Sequence, residues 1–230
     1  MSADPPGYSA HFFRSIERTV TKARLSRYLT ASSQDLTQAV QLYEYNVQLS
    51  EALYGILHGL EVTVRNAAHH ALSASYGVSA WYDHASFTPY WSGVLKDAKN
   101  KVGGGKAAPG KVVAELTFGF WVDLCSKRNH NNLWVHRKLS AAFPNAALSR
   151  DQIHQRLKIQ ALRNRISHHE PVLTSSKTLY ASRSSMLSVP ELLEPVEWVC
   201  TDTAQWIKTK FRCTAAERVL EDVNKLGITL

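Results

Sequence analysis

Between Leu36 and Tyr76 apolar residues recur at steps of three and four, with Leu53, Leu57, Leu60, Val64, Ala67 and Ala71 forming one stripe. That spacing is the signature of a helix with one buried face. The pattern predicts a single long helix over 36–76, with room for a kink or break near Glu44–Asn46 because few globular helices run so far. Residues 11–31 predict an earlier helix, and the "SSQD" after it reads as the N-cap region of the long one. "YGVSAWYDHASFTPYW" reads as an aromatic connection. "VVAELTFGFWVDLCSK" predicts a buried helix start with Gly119 allowing close packing, and "LWVHRKLSAAF" a short amphipathic helix. A further helix is expected from Ser149 through "SRDQIHQRLKIQALRNRISHH", with Asp151 in its first turn and Pro171 forbidding its continuation. The tail from Pro190 predicts one or two closing helices. No run of alternating strands and no solenoid repeat interrupts this series, so the expected class is an all-α helical bundle.

Length and composition change this picture little. The 230 residues, 44% hydrophobic and 20% charged, suit one globular domain or a domain with an appendage. No apolar run reaches the roughly 18 residues of a membrane span, and "MSADPPGYSAHFF" lacks a signal-peptide pattern, so no membrane association is expected. Cys125, Cys200 and Cys213 are odd in number and widely spaced, which reads as reduced thiols of a cytoplasmic protein, with no disulfide frame or zinc site.

Charge adds more. Of 27 Lys/Arg and 19 Asp/Glu, the segment from Lys96 to Arg165 holds 14 and 4, so it carries +10 and the remainder −2. A basic segment of that kind either attracts a polyanion such as nucleic acid or forms a solvated face. The "KVGGGKAAPGK" within it is a Gly/Lys loop without the Gly-Lys-Ser/Thr ending or preceding strand of a phosphate-binding P-loop.

The basic segment ends in "QALRNRISHHEPVL". On a helix, Ile159, Leu162 and Ile166 share the core face, Asn164 and His168 share another, and Arg163 lies between them. These residue types suit one reaction. Histidine can take a proton from a ribose 2′-hydroxyl or return one to the leaving 5′-oxygen. Arginine forks onto phosphate oxygens and stabilises the charge developing there, while asparagine orients either group. Such cleavage needs no metal, and no acidic cluster is present to hold magnesium. It does need both an acid and a base, so one helix falls short where a pair of such helices in a homodimer would suffice. The bland alternative is a helix end whose histidines and arginine complement the dipole.

At "LRNRISHHEP" the chain resembles the Abi-like (abortive infection) branch of the HEPN superfamily, whose signature is Arg, four to six residues, then His, often with a polar residue after the Arg. Arg163-Asn164-Arg165-Ile166-Ser167-His168 fits it, and so does the reading that ends at His169. "LYEYNVQLSEALYGILHGLEVTVRN" resembles the family's long early helix and "ELTFGFWVDL" its middle helix. The resemblance spans roughly 20–175 and implies a HEPN-like domain with long antiparallel helices; the tail has no counterpart in it, and the expected organisation is a single domain over 1–230 with a core of about 11–175 and a C-terminal helical extension of about 188–226. It further implies a homodimer whose motif helices face a shared cleft, and a metal-independent endoribonuclease acting in phage defence or as a toxin, restrained by an antitoxin or regulatory protein. Arg163 would bind phosphate, Asn164 support it, and His168 act as acid and base, with His169 as the alternative. No cofactor is implied.

"LEVTVRNAAHHAL" repeats the Arg-Asn-x3-His spacing. His58, Glu61, Arg65 and His69 form a polar stripe beside the apolar one, with Glu61 and Arg65 spaced for an intrahelical ion pair. The expectation is that Glu61, Arg65 and Asn66 support the cleft; surface residues with no role are the alternative. Two other classes compete with the ribonuclease. One is an RNA- or partner-binding module of the same fold without catalysis. The other is a metal site built from His69, His70, His168, His169 and Glu170, which lacks the Glu-x-x-His pairs of a di-iron bundle.

Overall fold

The computed structural model describes residues 9–173, 179–180 and 186–225. Residues 1–8, 174–175 at the end of the expected core, and Leu226 at the end of the expected extension lie outside the described residues. The protein is all-α, and the described residues add to its helices a two-residue antiparallel ladder, Leu179–Tyr180 with Met186–Leu187. The N-terminal arm comprises α1 (Ala10–Ile16), a π-helical turn over Glu17–Thr21, and α2 (Lys22–Ala31). The interruption falls at Thr21, whose φ of +76° is unusual for a β-branched residue and whose hydroxyl accepts the Arg24 N–H at 3.3 Å, starting α2 afresh.

Asp35 then caps α3 (Leu36–Tyr76) by accepting the Gln38 N–H at 3.0 Å, and Gly77, at φ +74°, stops it. All 41 residues form one helix with no break at 44–46. Asn46, where the break was expected, is only 4% exposed, and its Oδ1 accepts the buried Val172 N–H at 2.7 Å. Asn46→Leu orphans that N–H at a cost of about 2 kcal/mol. The expected result is a melting temperature lower by roughly 4–8 °C; an unchanged melt would show the bond to be dispensable.

Around α3 the chain lays α4 (Pro89–Lys101), α5 (Pro109–Glu115), α6 (Phe118–Leu124), α7 (Arg150–Leu157), α8 (Gln160–Ser167), α9 (Val189–Val199), α10 (Thr201–Lys210) and α11 (Cys213–Lys225). α2, α6, α8, α9 and α11 all pack on α3, and Leu53, Leu57, Leu60 and Val64 of its stripe are buried as the spacing predicts. Ala67 and Ala71 sit at the edge instead, with Ala68 and Leu72 filling the core. The "VVAELTFGFW" segment divides at Leu116–Thr117 into α5 and α6, and Gly119 does permit close packing: a Cβ there would lie 2.6 Å from Gln160 Nε2. "LWVHRKLSAAF" is no regular helix but a π-helical turn and a 3₁₀ turn separated at Lys138, where φ is +50°. Among its described residues the tail supplies three helices, where the pattern suggested one or two. Trp81 is fully buried against Phe87, Phe120 and Trp121, so the centre of the aromatic connection is core. No helix among the described residues is long and apolar enough to cross a membrane.

Candidate functional site

The helix expected from Ser149 begins there with a reciprocal capping box to Gln152. It does not run evenly to the histidines. Lys158, Ile159, Ala161 and Leu162 each donate their N–H three residues back, at 2.9–3.2 Å, so a tight 3₁₀ turn separates α7 from α8. Ile159, Leu162 and Ile166 still face the core, while Arg163, Asn164 and Arg165 are half-buried.

"SHHEP" is a helix stop with defined hydrogen bonds. The His168 N–H donates to the Asn164 carbonyl at 3.0 Å, that of His169 to Ile166 at 3.0 Å, and that of Glu170 to Arg165 at 2.8 Å. Together these are a Schellman motif, with His169 at its left-handed position, φ +56°. The two histidines therefore differ: His168 ends the helix in ordinary backbone, whereas His169 occupies the site where glycine is usual. Both side chains are exposed. Arg165 secures the turn by donating Nε to the Pro171 carbonyl at 2.8 Å and pairing with Glu170 at 3.1 Å. Arg165 is thus occupied structurally, and Arg163 is the arginine of the motif that faces a surface notch.

The Arg163 Nε meets Glu61 Oε2 at 3.0 Å, joining residues 102 positions apart. The Glu61 side chain is 15% exposed and that of Arg163 38%. A cavity of about 60 Å³ opens beside them, lined also by Tyr54, His58 and Ser167. The Ser167 hydroxyl is turned back onto the Arg163 carbonyl at 3.1 Å. Using Nε for Glu61 leaves both terminal guanidinium nitrogens for a phosphate, a geometry lysine cannot copy.

Other expected residues fall elsewhere. Glu61 reaches across to α8, so it replaces the anticipated Glu61–Arg65 pair; Arg65 Nε instead approaches Asn66 Oδ1 at 3.4 Å. Asn66 and His70 line a different groove, on the α10 side of α3. Asn164 and His168 line neither cavity. His69 leaves the polar stripe: its Nδ1 accepts the Trp81 indole N–H at 3.1 Å, which puts the ring proton on Nε2. Burial, and then neighbouring His70, hold the His69 pKa below its ordinary value. Among the described residues no three His, Cys, Asp or Glu side chains gather as a metal site would require.

The basic segment is also more neutralised than its composition suggests. Lys99, Lys101, Arg128, Arg150, Arg156, Arg163 and Arg165 each pair with a carboxylate, and these make up half of its cations. The partners of Lys99, Arg156, Arg163 and Arg165 come from outside the segment. The other half of the cations, six lysines and Arg137, have no carboxylate partner among the described residues, and Arg137 lies over the Tyr76 ring at 4.0 Å. No protein-family model matches the chain, and no characterised protein or solved structure matches it.

Proposed function

We propose that the protein is a metal-independent endoribonuclease of the HEPN kind, acting on RNA in phage defence or as a toxin. One observation carries the reading: Arg163, held through its Nε by Glu61, lines a surface notch, on the helix whose end exposes His168. The guanidinium binds the scissile phosphate and neutralises the charge that grows on its oxygens. An imidazole takes the 2′-hydroxyl proton, the 2′-oxygen attacks phosphorus, and a second proton donor protonates the departing 5′-oxygen. His168 supplies one such group per chain, and a second copy facing it supplies another. His58, lining the notch itself, adds a further imidazole beside the arginine. An antitoxin or other regulatory protein would restrain the activity by covering this face.

The test is incubation of the purified protein with RNA in EDTA, followed by analysis of the product ends. Cleavage that survives chelation and leaves 2′,3′-cyclic phosphate and 5′-hydroxyl ends is expected. A second reading, a binding module of the same fold, is favoured by Asn164 and His168 lying outside the notch. Salt-sensitive RNA binding with no cleavage at any protein concentration would establish it in place of the first.

A further inference from the structure

On the opposite flank of the α3 ridge lies a groove of about 440 Å³, walled by α10. Its floor follows from one residue: a Cβ at Gly59 would stand 2.6 Å from Ile207 Cδ1 and 3.2 Å from Phe211, so α10 can lie this close only over glycine. On α3, His58, Val62, Asn66 and His70 recur every fourth residue along the groove. On α10, Trp206 lines it while remaining 54% exposed, its ring set edge-on to Phe211 with centroids 5.0 Å apart. Tyr54 and Tyr90 are more exposed still, but of the three only Trp206 lines this groove. His58 lines both this groove and the Arg163 notch, so the two meet at that residue.

We infer that this groove receives an unstacked base of single-stranded RNA on Trp206 while Arg163 holds a nearby phosphate. The inference rests on the RNA-directed reading above and deepens it by naming the substrate class. The chemistry fits a base better than a purely apolar partner. An indole face offers stacking that every base can use, and amide and imidazole groups at the rim offer donors and acceptors to its edges. A base locked in duplex RNA is already paired and stacked, so it cannot enter.

The experiment uses the full chain carrying His168→Ala, so that bound RNA stays intact, and follows fluorescence anisotropy with a labelled single strand and with the same strand in duplex. Adding Trp206→Ala weakens single-strand binding by about tenfold or more, while Trp206→Phe retains most of it. Duplex binding stays as it was. Because Trp206 is largely exposed, an unchanged circular-dichroism melt confirms that the variants fold. Equal affinity of Trp206→Ala and its parent for the single strand overturns the inference, as does an equal loss for duplex. A drop in oligomeric mass with unaltered affinity overturns it too and assigns the groove to a second copy of the chain. Cleavage is scored separately with His168 intact: base-dependent binding without cleavage removes the ribonuclease reading alone, and cleavage with unaltered Trp206→Ala affinity removes the base pocket alone.

Discussion

His168→Ala slows RNA cleavage by about 10²–10⁴-fold, the usual contribution of a positioned acid–base group, and leaves the melting temperature where it was. The second half is as diagnostic as the first. His168 is exposed, and the hydrogen bonds that end α8 run through its backbone, which alanine keeps. A loss of rate without a loss of fold can then be assigned to the imidazole. His169→Gly is the matched comparison. At φ +56° the native histidine pays a strain of about 1 kcal/mol that glycine does not, so this variant melts no lower than its parent and cleaves at the parental rate. The reverse pattern, with activity lost in His169→Gly and kept in His168→Ala, would move the catalytic role by one residue.

Arg163→Lys, which preserves charge, lowers cleavage by about 10²–10³-fold, comparable to deleting one transition-state hydrogen-bond donor. An ammonium can pair with Glu61 or reach a phosphate, but it cannot present one nitrogen to the carboxylate and two others, coplanar and fixed, to phosphate oxygens. Glu61→Gln sharpens the assignment. Its amide oxygen still accepts from Arg163 Nε, so activity falls less than in Arg163→Lys. Kinetics of the two variants under single-turnover conditions make the comparison, and full activity in Arg163→Lys would exclude the forked phosphate contact. Neither change should alter stability much, since the pair is partly solvent-screened.

What could be read from the sequence followed periodicity. α3 has the bounds its apolar spacing predicts, a helix starts at Ser149 with Asp151 in its first turn as expected, and Pro171 lies just past the end of α8. Long-range partnership left no such trace. Glu61 has Arg65 at the favourable helical spacing, yet bonds Arg163, because three-dimensional packing of α8 on α3 decides between two acceptable cations. His69 looked like a member of a polar stripe, but an indole N–H needing an acceptor draws it inward. Tyr54, Ser167 and Trp206 carried no local signal at all, since nothing in an isolated segment says that two distant helices leave a gap beside them. Irregular turns at Thr21 and Lys138 were likewise invisible, as neither is a residue that announces a left-handed backbone.

Asn46 and Glu61 belong to one uninterrupted rod, 15 helical positions and therefore about 22 Å apart. One grips the chain just beyond the motif, at Val172, and the other grips the motif arginine itself. α3 thus works as a ruler with two fixed marks, and the stretch from Arg163 to Val172, the second half of α8 and the turn after it, is held between them. Removing a single residue of α3 between the marks would rotate one mark by about 100° relative to the other and release one end of the held stretch.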